Sequence, residues 1–200
     1  MLTKSLSGWQ RLNQTFFQQN PEARALASYP ADWPHIEYIA AAVSNLGIVD
    51  DDTQVLITRT QGLTADFSSL LTLNAVPAAL DRYFYSLLGT LVAPLSRGSV
   101  TLKSADTADL PNIDPGWLTN PGDQKVAIEV YKKVRRLFNT AAFKAVRIND
   151  EEYYPGYEAD TDEEILATVQ KSLMTVWHAS CTCAMGRRDR GGVVDAYFRV

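Results

Sequence analysis

The sequence predicts an α+β fold, in which an antiparallel sheet is covered by helices. The run "RYFYSLLGTLV" is apolar and aromatic, as is typical of a strand buried on both faces, and "SVTLKS" alternates like a half-exposed strand. The turn "PLSRG" joins them, so we predict neighbouring antiparallel strands over 83–92 and 98–104. Further along, two one-sided amphipathic stretches predict helices over 123–143 and 161–175, covering one face of the sheet.

The amino-terminal part is less regular. Residues 7–19 carry spaced apolar side chains and predict a short amphipathic helix. The run 36–43 fits either a buried strand or a short apolar helix, and 55–60 predicts a short β-branched strand. Gly89, inside the aromatic strand, is interpreted as a bulge.

The first predicted helix has an apolar face at three- and four-residue spacing, formed by Val126, Val130, Val134 and Leu137. Four cations lie mostly off that face in its second half, where they suit the helix dipole. We predict that these cations are solvated: Lys132, Lys133, Arg135 and Arg136.

The second helix has a strong start signal. Thr161 and Glu164 have the spacing of a capping box, and the acids between them suit the amino end of a helix. Its predicted buried stripe consists of Ile165, Leu166, Val169 and Leu173.

Composition restricts the class of protein. The 200 residues are 46% apolar and 21% charged with a net charge of −4, an ordinary globular balance. No long basic run exists, and the short run 187–190 is predicted to be a solvated loop, so nucleic acid is not an expected partner. No apolar run approaches the ~20 residues that a membrane span needs. The compartment is not determined by these features.

The stretch "TVWHASCTCAMG", residues 175–186, concentrates the titratable chemistry. His178, Cys181 and Cys183 are too few for a typical zinc site, and we predict no metal here. The cysteines are too close for an unstrained disulfide, and their apolar neighbours predict buried, inert thiols. Taken alone, His178 is more often a satisfied, partly buried histidine than a catalytic base, so both interpretations stay open.

With the following "GGVVDAYFRV", this stretch resembles the carboxyl-terminal signature of the glucose–methanol–choline (GMC) flavoprotein oxidoreductases. Cys181 departs from the glycine of many members, but is similar to a subgroup of fungal alcohol-oxidising members. "PLSRGSVTLKSAD" is also similar to a family segment that enters the substrate-domain sheet. The signature positions are His178, Thr182, Cys183, Met185, Gly186, Val193, Val194, Asp195, Arg199 and Val200.

The resemblance implies the substrate-binding part of an FAD-dependent enzyme that oxidises the CH–OH group of a small-molecule alcohol. It implies His178 as the catalytic base, on the wall of a concave pocket, and Trp177 beside the flavin ring. It assigns 1–82 to the amino-terminal part of the substrate domain and 83–200 to an incomplete carboxyl-terminal domain.

The family's dinucleotide-binding domain opens with Gly-x-Gly-x-x-Gly, which these 200 residues lack. We therefore expect a chain cut at both ends that is inactive alone. The alternative is a non-catalytic truncated remnant that binds no flavin.

Overall fold

The computed structural model describes residues 5–43, 84–145, 150, 152, 157–173 and 183–200. Within them, the strands are β1 (Ser5–Gln10), β2 (Ile36–Val43), β3 (Phe84–Leu91), β4 (Ser99–Thr101) and β5 (Asn112–Asp114). The α-helices are α1 (Gln14–Gln19), α2 (Pro121–Phe138), α3 (Ala141–Lys144) and α4 (Asp162–Ser172). Two 3₁₀ segments, Pro21–Ser28 and Arg188–Arg190, complete the list. The α+β class is confirmed.

The strands form two separate antiparallel sheets. The larger has the order β1-β2-β3, and the smaller consists of β4 and β5. The choice left open for residues 36–43 is therefore settled as a strand, because this segment pairs on both sides. A central strand needs hydrogen-bonding partners along both edges, and β1 and β3 supply them.

The core lies where α1, the first 3₁₀ segment and α2 meet the larger sheet. Apolar side chains converge there from all of these elements, which removes them from water without leaving strand or helix polar groups unpaired. Its buried members are Leu12, Phe16, Phe17, Ala23, Leu26, Ile36, Val126 and Val130.

The predicted hairpin between 83–92 and 98–104 is wrong, because β3 pairs with β2 whereas β4 pairs with β5 in the other sheet. The segment between β3 and β4 does not form a hairpin turn. The N–H groups of Leu95 and Ser96 donate to the buried carboxylate of Asp123 at 2.8 and 2.6 Å. Gly98 then packs on the backbone of residues 114 and 115, which brings β4 beside β5.

The predicted helix over 7–19 is wrong in its first half. Residues 5–10 form β1 along the free edge of β2, and the helix begins only after Asn13, whose side-chain oxygen accepts from the Phe16 N–H at 2.9 Å. A long-range strand partner thus overrides the local helical spacing, and an N-cap fixes where α1 starts.

The bulge predicted at Gly89 is also wrong. Pairing between β2 and β3 is unbroken there, with Gly89 opposite Tyr38. The side chain of Val130 on α2 lies directly over Gly89 and occupies the position of a Cβ. This glycine permits close approach of a helix to the strand.

The two predicted helices occur, but both end earlier than predicted. α2 ends at Phe138, where Asn139 forms its C-cap, and α4 ends at Ser172. Asn120 caps α2 through the Gly122 N–H, and the Thr161–Glu164 capping box of α4 is confirmed. However, α2 packs on β3, whereas α4 packs on α2, so the helices do not cover the sheet together. Of the stripe on α4, Ile165 is buried and the other members are half-buried.

The prediction that the α2 cations are solvated is wrong for Arg135 and Lys133, whose side chains are only 15% and 18% exposed. Arg135 forms a bidentate pair with Glu152 at 2.7 and 2.9 Å. Its guanidinium lies 4.7 Å from the Tyr131 ring centroid and 5.5 Å from that of Tyr157. A planar cation can stack on aromatic rings while its edge pairs with a carboxylate, which allows its burial.

The strand predicted at 55–60 lies outside the described residues. The division between 1–82 and 83–200 stays a prediction. In the part of the chain that the structure describes, no helix combines the length and the apolar character needed to cross a membrane.

Candidate functional site

Both predicted site residues, Trp177 and His178, lie outside the described residues, as does Cys181. The structure describes the segments on either side. α4 ends at Ser172, where the backbone turns to an extended conformation at Leu173. The chain is described again from Cys183 to Val200, which contains the signature positions that follow Thr182.

Residues 183–200 form a loop that crosses itself. A parallel bridge joins Met185 to Val194, the Gly186 N–H donates to Val194 O at 3.0 Å, and the Val193 N–H donates to Ala184 O at 2.8 Å. At the crossing, Gly192 lies so close to the backbone of Gly186 that no Cβ fits. Glycine at 192 is therefore required by close approach of the two strands of the loop.

The end of this loop is closed by Asp195. Its carboxylate accepts from the Tyr197 N–H at 2.8 Å, from the Arg199 N–H at 3.1 Å and from the Arg199 guanidinium at 2.7 and 3.0 Å. These bonds to Arg199 and to backbone N–H groups stabilise the ionised carboxyl and lower the pKa of Asp195. The signature residues Asp195 and Arg199 thus act as a local structural pair.

The loop presents apolar side chains to solvent. Met185 is 51% exposed, and Val193 and Phe198 are exposed as well. The run 187–190 is exposed, as predicted, and Arg187 pairs with Asp189 at 2.7 and 2.9 Å.

The expectation that the thiol of Cys183 is buried is wrong. It is exposed and free, not buried. Among the described residues, no group of three or more His, Cys, Asp and Glu side chains could hold a metal ion.

His35, the other histidine of the chain, is a structural residue. It is 2% exposed, its Nδ1 accepts from the Leu12 N–H at 2.9 Å, and its Nε2 lies 3.0 Å from Leu26 O. The Leu12 bond places the hydrogen on Nε2, so the neutral ring is fully hydrogen-bonded. Burial lowers the pKa of His35. A ring with both nitrogens occupied and no access to solvent offers nothing to a substrate.

Neither of the two longer described helices offers a free amino terminus to the pyrophosphate of a dinucleotide. A pyrophosphate is usually held at a helix amino terminus, but that of α2 is filled by the Asn120 cap, and a Cβ at Gly122 would meet the backbone of Glu22. The amino terminus of α4 is occupied by its own capping box. Phosphate contacts therefore have to come from residues other than these two helix termini.

Sequence reasoning missed Asp123 and Arg11, which organise the connections. Asp123 is 1% exposed and clamps the chain after β3, as described above. Arg11 donates to the carbonyl oxygens of Tyr29, Pro30 and Trp33 at 2.9, 2.6 and 2.9 Å. An acid in the first helical turn is normally explained by the helix dipole, and an isolated arginine carries no local signal, so only long-range contacts reveal these roles.

Comparison with known proteins identifies the class. The profile of the family described as GMC oxidoreductase matches residues 94–200, which include the whole signature. The chain therefore belongs to the GMC oxidoreductases, a family of FAD-dependent flavoenzymes.

Curated relatives and solved structures agree with this assignment. Patulin synthase of Aspergillus clavatus is 38% identical over an alignment of 207 positions, which covers 99% of this chain and 28% of that protein. Patulin synthase of Penicillium expansum is 36% identical, again over 99% of this chain and 28% of its own length. The fold is similar to that of Aspergillus oryzae formate oxidase, with a TM-score of 0.65 at 23% identity over 94% of this chain and 30% of that one. The chain thus spans under a third of the relatives it matches.

Proposed function

We propose that these residues contribute the substrate-facing part of an FAD-dependent oxidoreductase that acts on the CH–OH group of an alcohol, with His178 as the base. The observation that carries the proposal is the family match over 94–200, because the histidine lies inside the matched signature. Trp177 is proposed to lie beside the flavin ring. The described loop at 183–200 carries the signature residues that follow both positions in the sequence, and Met185 is half exposed there.

The proposed role requires His178 to accept a proton. A neutral imidazole with a pKa near its ordinary value of ~6.5 can accept the hydroxyl proton of an alcohol at neutral pH. The FAD that the family uses supplies the hydride acceptor. The chain's own residues orient the alcohol, take up the proton on a ring nitrogen and keep the reacting face apolar.

The test is a chimera in which this chain replaces the segment that it matches in the Aspergillus clavatus relative, 28% of that protein. The His178→Ala variant is compared with the parent and with Cys183→Ser, which changes an exposed thiol in the same signature. Flavin content is measured from the absorption spectrum, and flavin reduction is followed by stopped-flow with a panel of aryl, aliphatic and sugar alcohols.

We expect all three proteins to bind flavin. Reduction should fall by roughly 10²–10⁴-fold in His178→Ala, the usual worth of general-base catalysis, and stay unchanged in Cys183→Ser. Equal rates in His178→Ala and the parent would reject His178 as the base. A chimera that folds but binds no flavin would favour the alternative of a non-catalytic remnant.

A further inference from the structure

The sequence contains one Asn-x-Ser/Thr triplet, the acceptor motif of N-linked glycosylation, at Asn13-Gln14-Thr15. None of the other asparagines in the 200 residues is followed two positions later by serine or threonine. The middle residue is glutamine rather than the proline that would exclude the motif. Because a triplet this short also occurs by chance, its setting in the folded chain decides whether it is a site.

All three residues of the triplet are exposed, although the chain on either side of them is buried. Leu12 is 4% exposed, and Phe16 and Phe17 are 8% and 4% exposed. These apolar side chains belong to the core, whereas the triplet lies at the surface where the chain passes from β1 into α1. A bulky hydrophilic group on Asn13 would therefore extend into water without displacing any core residue.

The side-chain amide of Asn13 is oriented so that its nitrogen stays available. Its Oδ1 accepts from the Phe16 N–H at 2.9 Å, and because only the oxygen of an amide accepts, this bond fixes the orientation. In the part of the chain that the structure describes, no hydrogen bond involves Nδ2 of Asn13. Glycosylation replaces one hydrogen on Nδ2 and leaves the oxygen an acceptor, so the N-cap of α1 and a glycan can coexist.

Two other asparagines have the opposite arrangement. Nδ2 of Asn20 donates to Phe16 O at 2.9 Å, and Nδ2 of Asn139 donates to Arg135 O at 3.1 Å. A sugar on either nitrogen would lie against the last turn of a helix. Asn13 thus combines the acceptor motif, exposure and an outward nitrogen, which are separate properties of the sequence and the structure.

We propose that Asn13 is an N-glycosylation site. The donor is an oligosaccharide whose first sugar is linked to a lipid diphosphate. Transfer forms the bond between Nδ2 and carbon C1 of that sugar and breaks the bond between C1 and the diphosphate oxygen. The lipid diphosphate leaves and takes up the proton that Nδ2 loses, so no oxidant or reductant is needed. The motif requires the hydroxyl of Thr15, and the reaction implies that the chain passes through the secretory pathway.

The test compares two changes at the exposed Thr15. Thr15→Ala removes the hydroxyl that the motif requires, whereas Thr15→Ser keeps it, and both leave the Asn13 side chain in place as the cap. The full 200-residue chain and both variants are secreted from yeast behind a cleavable leader, and circular dichroism verifies that they fold. The protein from its natural source is isolated with an antibody raised against the chain. Intact masses are measured before and after treatment with peptide-N-glycosidase.

We expect this treatment to lower the mass of the parent, of Thr15→Ser and of the natural protein, and to leave the mass of Thr15→Ala unchanged. The glycosidase converts the modified asparagine to aspartate. Trypsin, which cuts after Arg11 and Arg24, releases the peptide 12–24. Fragmentation of this peptide should place the new aspartate at Asn13 and leave Asn20 unchanged.

Two results would overturn the proposal. One is an unmodified Asn13 in the protein from its natural source. The other is a glycan that persists in Thr15→Ala, because the sugar would then not depend on the motif. Neither measurement involves flavin or alcohol oxidation, so the proposed function stands or falls separately.

Discussion

Replacing Gly89 with alanine tests the contact between β3 and α2. A new Cβ would lie well under 3.0 Å from Val130 Cγ1, and also 3.5 Å from Val134 Cγ2. Val130 is 4% exposed and belongs to the core, so it has little room to move away. Overpacking of this kind costs about 1–3 kcal/mol. The gain of about 0.5–1 kcal/mol that alanine normally has over glycine within a strand offsets part of this cost, so Gly89→Ala should destabilise by up to about 2.5 kcal/mol.

The chain contains a matched control on the opposite edge of the sheet, in β1. Gly8, in β1, has no atom within 4 Å of the position of a Cβ, so Gly8→Ala should be neutral or stabilising. Free energies of unfolding from urea titrations followed by circular dichroism give the comparison. A double-mutant cycle with Val130→Ala completes it, because removing the Val130 methyl groups should relieve the clash and make the two changes less costly together than their sum. Equal stabilities of Gly89→Ala and Gly8→Ala, or strict additivity in the cycle, would refute the steric explanation.

Three further predictions concern buried polar groups. Asp123→Ala leaves two backbone N–H groups without their acceptor and should cost about 2–4 kcal/mol in urea unfolding, whereas a change at the exposed Glu158 should cost under about 0.5 kcal/mol. Because burial lowers the pKa of His35, the unfolded chain binds a proton at this histidine first as the pH falls below ~6.5. The free energy of unfolding should therefore decline from that pH downward. His35→Gln should be less stable at pH 7.5 and should show a shallower decline toward pH 5. An unchanged slope would exclude His35 as the cause. Arg135→Met should leave the carboxylate of Glu152 without its partner and lower the melting temperature, and Arg135→Met/Glu152→Gln should recover part of that loss.

The features predicted correctly from the sequence are those specified by neighbours within a few residues. The capping box at Thr161 and Glu164 and the apolar spacing that contains Val126 and Val130 identify two helices, because helix hydrogen bonds and caps join residues three or four positions apart. The β3 strand was also predicted from its apolar and aromatic run. The prediction that it is buried on both faces is wrong, because β3 is an edge strand of the described sheet and its described side chains at 87–91 are half-buried or exposed. The candidate site itself was predicted only through the family signature, and the roles of Trp177 and His178 stay predictions.

The errors concern partners that are distant in the chain. Nothing near Gly89 shows that Val130 will lie over it, and nothing near Arg135 shows that Glu152 and two tyrosines will enclose it. The exposure of Cys183 likewise depends on how the loop crosses itself. Apolar neighbours in the sequence are poor evidence of burial when the segment is a surface loop.

By itself, the sequence determined the α+β class, the family and the positions of the two main helices, because these depend on periodicity, caps and a signature that can be read along the chain. Only the tertiary structure decided that β3 pairs with β2 rather than with β4. Antiparallel strands of similar character have interchangeable backbone hydrogen bonds, so the pairing is chosen by what surrounds them. Here that choice follows from the carboxylate of Asp123, which holds the connection at the start of α2, and from the close packing of α2 on Gly89.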